Sequence, residues 1–431
     1  MHVTPTYNSI QVCDPDALME IFRRKHGFPR PLHFYNGDQW KRRRKSAASC
    51  FNEPNNEIVW SGKPSPGRRH DTLLGIEAVD HEHCRRLAHA FPAYPVPSRL
   101  REILQVPGLP GEDCRSRSYE LQGVPENRLG QELLDHGPGN QVPRQAVAPA
   151  SLRRVHQAIV AFHQYMTQVY EEEKRSMAQN GETNRTLMST LVRASAEETD
   201  PATRLTEREL YGNMSIFNFA GHDTTTHSIV FSLMHLAINP DAQEWISEEI
   251  CSVFGDSPVS EWDYSSFPRL KRCVVVLMES LCLYTLVPMS KWTDARAQQL
   301  TVGRGKKSIT IPPKTTVLVA YAAVHTHPDY WGPDALEWRP SRWIKRSSDA
   351  GDEELITPRR GTYVEFAATM AALFRDYRVG PTKRQGESEG DARRRIAHQL
   401  ETDSAKDLLL QMLHPERAAL SWRNKGGMCT K

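Results

Sequence analysis

The sequence predicts a mainly α-helical protein carrying small β-sheets, folded as a single domain over residues 1–431. Three observations predict it. Residues 205–239 open with a helix-start signal, Thr206 followed three residues later by Glu209, and then run without proline as far as Pro240. Such a pair satisfies two orphan amides reciprocally at a helix start. Helical periodicity returns on both sides of that stretch, over residues 156–178 and 241–254. Further on, Ile309 and Ile311 alternate before Pro312-Pro313, and Val317 and Val319 alternate after it, the pattern of paired strands.

Composition sets the outer bounds. A chain of 431 residues can bury a sizeable core. With 55 Lys and Arg against 52 Asp and Glu, the net charge of +3 gives no global argument for nucleic acid or an acidic partner. The eight cysteines show no C-x-x-C spacing, which favours reduced, unpaired thiols and a cytosolic face over a disulfide framework or zinc site. The first thirty residues contain no apolar run resembling a signal peptide or a spanning helix.

In chain order, Asp14-Pro15 opens a short helix, with Asp at the cap and Pro in the first turn. Lys41 to Lys45 is a run of five basic residues behind Trp40, open to readings as a localisation signal, a solvated face or a site. Residues 105–150 are dense in Pro, Gly and charge and carry little helical or strand period, so they read as an irregular insert. This divides the chain into residues 1–104, the insert, and a helical core over 151–431.

The long helix, 206–238, spans roughly 50 Å at 1.5 Å per residue. Its apolar residues fall on every face, which places it through the middle of a large domain. A polar notch interrupts it. Gly221 and Thr224-Thr225-Thr226 are poor helix formers, and Asp223 is costly in apolar surroundings unless paired or hydrated. The notch reads as a place where something binds or reacts, with a satisfied kink as the plainer alternative. Asp223 and His227 share a helix face, but nothing nearby completes a metal ligand set. The next helix, 241–254, carries Glu248 and Glu249 on its wetter side. His325 and His327, two apart without a third ligand, read as ordinary loop histidines.

Ala220-Gly221-His222-Asp223-Thr224-Thr225 resembles the oxygen-activation motif, A/G-G-x-D/E-T-T/S, in the central long helix of the cytochrome P450 monooxygenases. WISEEI, FPRLKRC and EWRPSRW are similar to members from fungal secondary metabolism. The resemblance implies a P450-like fold and a haem cofactor lying under Ala220 and Gly221, with Asp223 and Thr224 as the catalytic proton relay. Trp40 and Arg44 match the W-x-x-x-R that holds a haem propionate, and Glu279 with Arg342 matches a buried structural network. It further implies a small organic, secondary-metabolite substrate and an NADPH-dependent P450 reductase as electron donor. Placement on the cytoplasmic face, with endoplasmic-reticulum association, is implied too, although no anchor is read in this sequence.

The chain departs from that family in three places. The N-terminal part reads as truncated, entering the fold after the family's first β-sheet. The Arg of the E-x-x-R that begins at Glu279 is replaced by Cys282, and a thiol cannot donate the forked, charged hydrogen bonds of guanidinium. The haem-ligand loop, F-x-x-G-x-R-x-C-x-G, is absent: Ile356 to Tyr363 holds no Cys, and none occurs between Cys282 and Cys429. No metal ligand is therefore assigned. The expected function is a haem-thiolate monooxygenase by resemblance, with a catalytically inactive relative holding a binding or scaffold role as the alternative.

Overall fold

The computed structural model describes, with short breaks, residues 2–28, 44–61, 164–178, 187–346, 353–356 and 363–425. Trp40, the insert at 105–150 and most of the segment expected to hold the haem loop lie outside the described residues. The fold is mostly helical with small sheets.

Helix α1 (Pro15–Arg23) is capped by Asp14, whose Oδ1 accepts the Ala17 amide at 2.9 Å. Helices α2 (Glu53–Ser61) and α3 (Leu187–Glu197) precede the organising element, α4 (Glu207–Ile238), a continuous helix of 32 residues. Its start is the capping box expected from sequence: Thr206 N donates to Glu209 Oε2 at 2.8 Å, and Glu209 N to Thr206 Oγ1 at 3.3 Å. Pro240 begins α5 (Pro240–Phe254), and α6 (Lys271–Leu283) follows. After a region of short helices, α7 (Tyr321–His325) and α8 (Pro328–Trp331), come α9 (Val364–Asp376) and α10 (Glu389–Thr402).

Burial along α4 is asymmetric, which corrects the expectation of a helix buried throughout. Ile216 is 52% exposed, whereas Phe231, Leu233, Met234 and Leu236 are fully enclosed. The enclosed half packs with Ile246 and Ile250 of α5, Val274 and Val276 of α6, Phe374 of α9 and Ile396 of α10 into the main core. Gln243, itself buried, ties the helix end to strand β9 (Tyr377–Pro381). Its amide nitrogen donates to the Leu236 and Val379 carbonyls at 2.6 and 2.8 Å, and its oxygen accepts the Val379 amide at 2.9 Å. The sequence reading missed α10, although Ala392, Ile396, Gln399 and Leu400 form a helical stripe behind the Ser388 cap.

The larger sheet has four strands in the order β1-β2-β6-β3, namely His2–Val3, Asn8–Val12, Thr315–Val319 and Met289–Trp292. The first residues thus contribute two strands where none was expected, because β2 adds in parallel to β6. Strand β5 (Lys307–Ile311) pairs with β4 (Gln298–Val302) and not with β6, a second correction. Two consecutive prolines offer no amide donors, and Lys314 adopts φ 53°, which carries the chain into the other sheet. Thr293 Oγ1 fixes this crossing by donating to Pro312 O at 2.8 Å and accepting Thr315 N at 2.7 Å. Cys13, Cys50, Cys273 and Cys282 form no disulfide, but Cys251 is disulfide-bonded, against the expectation that all the cysteines stay unpaired. Among the described residues no helix is long and apolar enough to cross a membrane.

Near its end α4 builds a dry aromatic stack. Phe231 lies on Tyr284 at 4.4 Å between centroids, and His235 lies on Trp338 at 5.0 Å with planes 6° apart. Neither ring nitrogen of His235 meets a hydrogen-bond partner among the described residues. Burial lowers its pKa from the ordinary 6.5 to about 3, so the folded chain keeps the ring neutral. As pH falls below 6.5 the unfolded chain takes up a proton that the folded one refuses, and stability is lost. Between pH 7 and 5 this one group should remove about 2 kcal/mol. Thermal unfolding of His235→Phe should show a correspondingly smaller acid loss than wild type. Identical pH profiles would refute the assignment.

Candidate functional site

The notch lies on α4 where exposure gives way to burial. Ala220 and Gly221 are exposed, Thr224 and Thr225 half-buried, and Thr226 buried. A Cβ placed on Gly221 would meet no atom of the described residues within 4 Å. The hydroxyls in this stretch turn back along the helix. Thr224 Oγ1 donates to Ala220 O at 2.5 Å, Ser228 Oγ to Thr224 O at 2.7 Å and Ser232 Oγ to Ser228 O at 2.7 Å. Each hydroxyl thus doubles up on a carbonyl one turn earlier, an arrangement that competes with the helix ladder. The helix nevertheless runs unbroken. Asp223 follows His222 in the helix; its side chain, like Trp40, lies outside the described residues. Arg44 is exposed on the short helix at 44–48, where its neighbour Lys45 pairs with Glu198 at 2.7 Å.

The second part of the site is a buried carboxylate. Glu279 on α6 is 1% exposed. Its Oε1 accepts from Arg342 Nε at 3.0 Å and from the Arg339 amide at 2.7 Å, and its Oε2 accepts from Trp343 Nε1 at 2.7 Å. Arg342 also donates to the carbonyls of Asp334 and Glu337, at 2.9 and 2.6 Å. The expected Glu279–Arg342 pair is therefore made without an arginine at position 282. Cys282 takes no part: its thiol points to the His325 carbonyl at 3.6 Å. Burial, then the Glu279 charge, pushes that thiol up to about 12. Sequence reasoning missed Trp343. The signal was present, because a partly buried indole N–H needs an acceptor and Trp343 directly follows Arg342. A hydroxyl contact joins the two parts: Ser280 Oγ lies 2.9 Å from Ser232 Oγ and donates to it, since the Ser232 proton is taken by Ser228 O, while Ser280 Oγ accepts from Trp338 Nε1 at 3.2 Å.

The histidines of the next segment have local roles. His327 Nδ1 accepts the Asp329 amide at 3.2 Å and caps α8, and His325 packs edge-on to Trp331. Among the described residues no three His, Cys, Asp or Glu side chains converge as metal ligands. None of the described thiols stands in a metal-ligand cluster. Cys13 is exposed directly after β2, Cys50 donates to the Ser46 carbonyl at 3.5 Å, and burial holds Cys273 well above its ordinary range. Among the described residues the donor set does not suit a haem thiolate.

A mostly helical fold threaded by one long notched helix, with a buried Glu–Arg pair beside it, defines a P450-like scaffold. The comparisons agree. The family described as Cytochrome P450 matches residues 135–358, just over half of the chain. The chain belongs to the cytochrome P450 family. It is 25% identical over 460 residues to Cytochrome P450 monooxygenase 124 of Postia placenta, covering 99% of this chain and 85% of the relative. It is likewise 25% identical to the Phomenoic acid biosynthesis cluster cytochrome P450 monooxygenase of Leptosphaeria maculans, over 90% of this chain and 76% of that one. Among solved structures, a zebrafish cytochrome P450 with abiraterone aligns at TM-score 0.61 and 16% identity, over 99% of this chain and 95% of the other. That last likeness is one of fold.

Replacing one partner of a buried ion pair leaves an uncompensated charge. Arg342→Met should therefore cost about 3–5 kcal/mol, and Trp343→Phe about 1–3 kcal/mol for the orphaned Oε2. Chemical denaturation measures both. A Trp343→Phe chain as stable as wild type would show that the indole bond contributes nothing.

Proposed function

We propose that this chain keeps the substrate-facing scaffold of a P450 monooxygenase, binds a small organic molecule over the exposed middle of α4, and as written does not catalyse oxygen insertion. One observation carries the reading: the sequence holds no cysteine between Cys282 and Cys429, the stretch in which the axial-ligand loop is expected. The apolar side chains left exposed near the notch and beyond α6, Ile216 at 52% and Val287 at 50%, support an apolar ligand. The biosynthetic-cluster name carried by the Leptosphaeria relative supports a secondary metabolite as its class.

A second reading is favoured by the intact Ala220 to Thr225 motif. Under it the gene encodes a full monooxygenase, served by an NADPH-dependent P450 reductase on the cytoplasmic face of the endoplasmic reticulum, and the loop has been lost from this form of the chain. Genomic DNA between the codons for Arg346 and Val364 distinguishes the two: an in-frame Cys loop between splice sites favours the second reading. For the chain as written, reconstitution with haem, reductase and NADPH should yield no product above a reductase-only control. Saturable binding of apolar small molecules, followed by tryptophan fluorescence, should persist. Turnover, or the absence of any such binding, would contradict the proposal.

A further inference from the structure

Helix α5 and the strand Leu420–Asn424 meet at a junction that the notch and the Glu279 network do not use. Cys251, half-buried in the last turn of α5, is disulfide-bonded. Of the other cysteines, Cys13, Cys50, Cys273 and Cys282 form no disulfide. The partner is therefore Cys84, Cys114 or Cys429, all of which lie outside the described residues.

The packing beside α5 separates the three. Strand β9 passes along the helix: Val379 bonds to Gln243, and Arg378 Nε pairs with Glu244 at 2.7 Å. Before the strand begins, Arg375 Nη2 donates to Asp256 O at 3.0 Å, just past the end of α5. The strand Leu420–Asn424 pairs antiparallel with β9, Asn424 opposite Tyr377. Lys425 follows it; its amide donates to Asp376 O at 2.7 Å and its Nζ to Ser247 Oγ at 3.1 Å. Residues four apart on a helix are neighbours on one face, so Ser247 and Cys251 share one. The chain leaving Lys425 thus starts between the Ser247 and Asp256 contacts, beside the turn that carries Cys251. Cys429 is four residues further on, after Gly426-Gly427, and four residues reach roughly 13 Å. A disulfide needs its Cα atoms about 6 Å apart. Cys84 is the rival, since Trp60 packs on Phe254 at 6.3 Å, but it stands twenty-three residues beyond Ser61. Effective concentration falls steeply with tether length, which gives Cys429 roughly a tenfold advantage. Cys114 is further still from any described residue.

We infer that Cys251 pairs with Cys429, and that this bond is a reversible, redox-operated clasp holding the segment after Lys425 on α5. A half-exposed disulfide exchanges with small thiols, whereas an enclosed one resists them. Closing the clasp takes a low-molecular-weight disulfide of the glutathione type. One protein thiolate attacks that disulfide, forming a mixed disulfide and releasing one small thiolate; the second protein thiolate then displaces the other. One S–S bond forms in the protein and one breaks in the oxidant. Two electrons pass to the small disulfide, and the two cysteine protons end on the two small thiols. Excess small thiol runs the same steps backwards. The loop so closed contains α6 with Glu279, strand β8 (Glu353–Leu355), α9 and α10. The clasp therefore restrains the unfolded chain across that whole region, and opening it lowers stability.

Peptide mapping tests the pairing, with the full chain equilibrated in oxidised glutathione, capped with N-ethylmaleimide and cut with trypsin without reduction. The peptide 426–431 should appear joined to the one that holds Cys251, and excess reduced glutathione should separate them. Cys251 joined instead to Cys84 or Cys114, or capped in the oxidised sample, would overturn the inference. Thermal unfolding tests the clasp. In oxidised glutathione, Cys429→Ser should melt about 5 °C below wild type. Reduced glutathione should lower wild type by the same amount and leave the variant unmoved. A wild type indifferent to the reductant, or a variant that still responds to it, would equally overturn the inference.

Discussion

The buried carboxylate of Glu279 is the constraint on which the surrounding structure depends. An ionised carboxyl taken out of water is costly unless its lone pairs are filled. Both oxygens are occupied here, by Arg342, the Arg339 amide and the Trp343 indole. Satisfying them fixes the 3₁₀ turn Pro340–Trp343 against α6, and with it the start of strand β7 (Ile344–Arg346). Such a pair adds little net stability compared with a well-packed apolar replacement, yet breaking it is expensive, so it specifies geometry more than it adds free energy. That explains how the chain tolerates Cys282. The carboxylate still receives an arginine, and an indole supplies a further donor from the turn.

From α6 the constraint reaches the notched helix. Ser280, next to Glu279, donates to Ser232 of α4 and accepts from Trp338, so one hydroxyl links the long helix, the network helix and the segment that leads to Arg342. The enclosed end of α4 is thereby held in the core, Leu210 and Met214 are buried near its start, and Ala220 and Gly221 between them are exposed. Rigid support at both ends and exposure between them suit a binding site. They do not by themselves supply the sulfur that P450 oxygen chemistry requires.

Much of this was legible in the sequence where the signal is local. Thr206 and Glu209 announce the capping box, the proline-free run gives the length of α4, and Arg342 stands where a partner for Glu279 is expected. Features decided by tertiary packing were not legible. The strand partner of β5 depends on how the Pro312-Pro313 crossing turns, and alternation alone does not say which strands pair. Glu249 follows Glu248 on what periodicity makes a polar side, yet the neighbouring α6 covers only Glu249. Helix α10 has a mean composition too charged to stand out, because its buried stripe is narrow. Trp343 was passed over because an aromatic beside a motif Arg reads as packing until its N–H is seen to need an acceptor.

The account turns on whether this polypeptide can present a thiolate to haem iron. The most direct measurement is the absorption spectrum of the purified chain, reconstituted with haem, reduced and exposed to carbon monoxide. Thiolate ligation gives a Soret band shifted well to the red of that from a histidine-bound or unligated haem. The account predicts no such band from the sequence as written, and its appearance once the Cys loop is inserted between Arg346 and Val364. A clear thiolate-type band from the unaltered chain would contradict it.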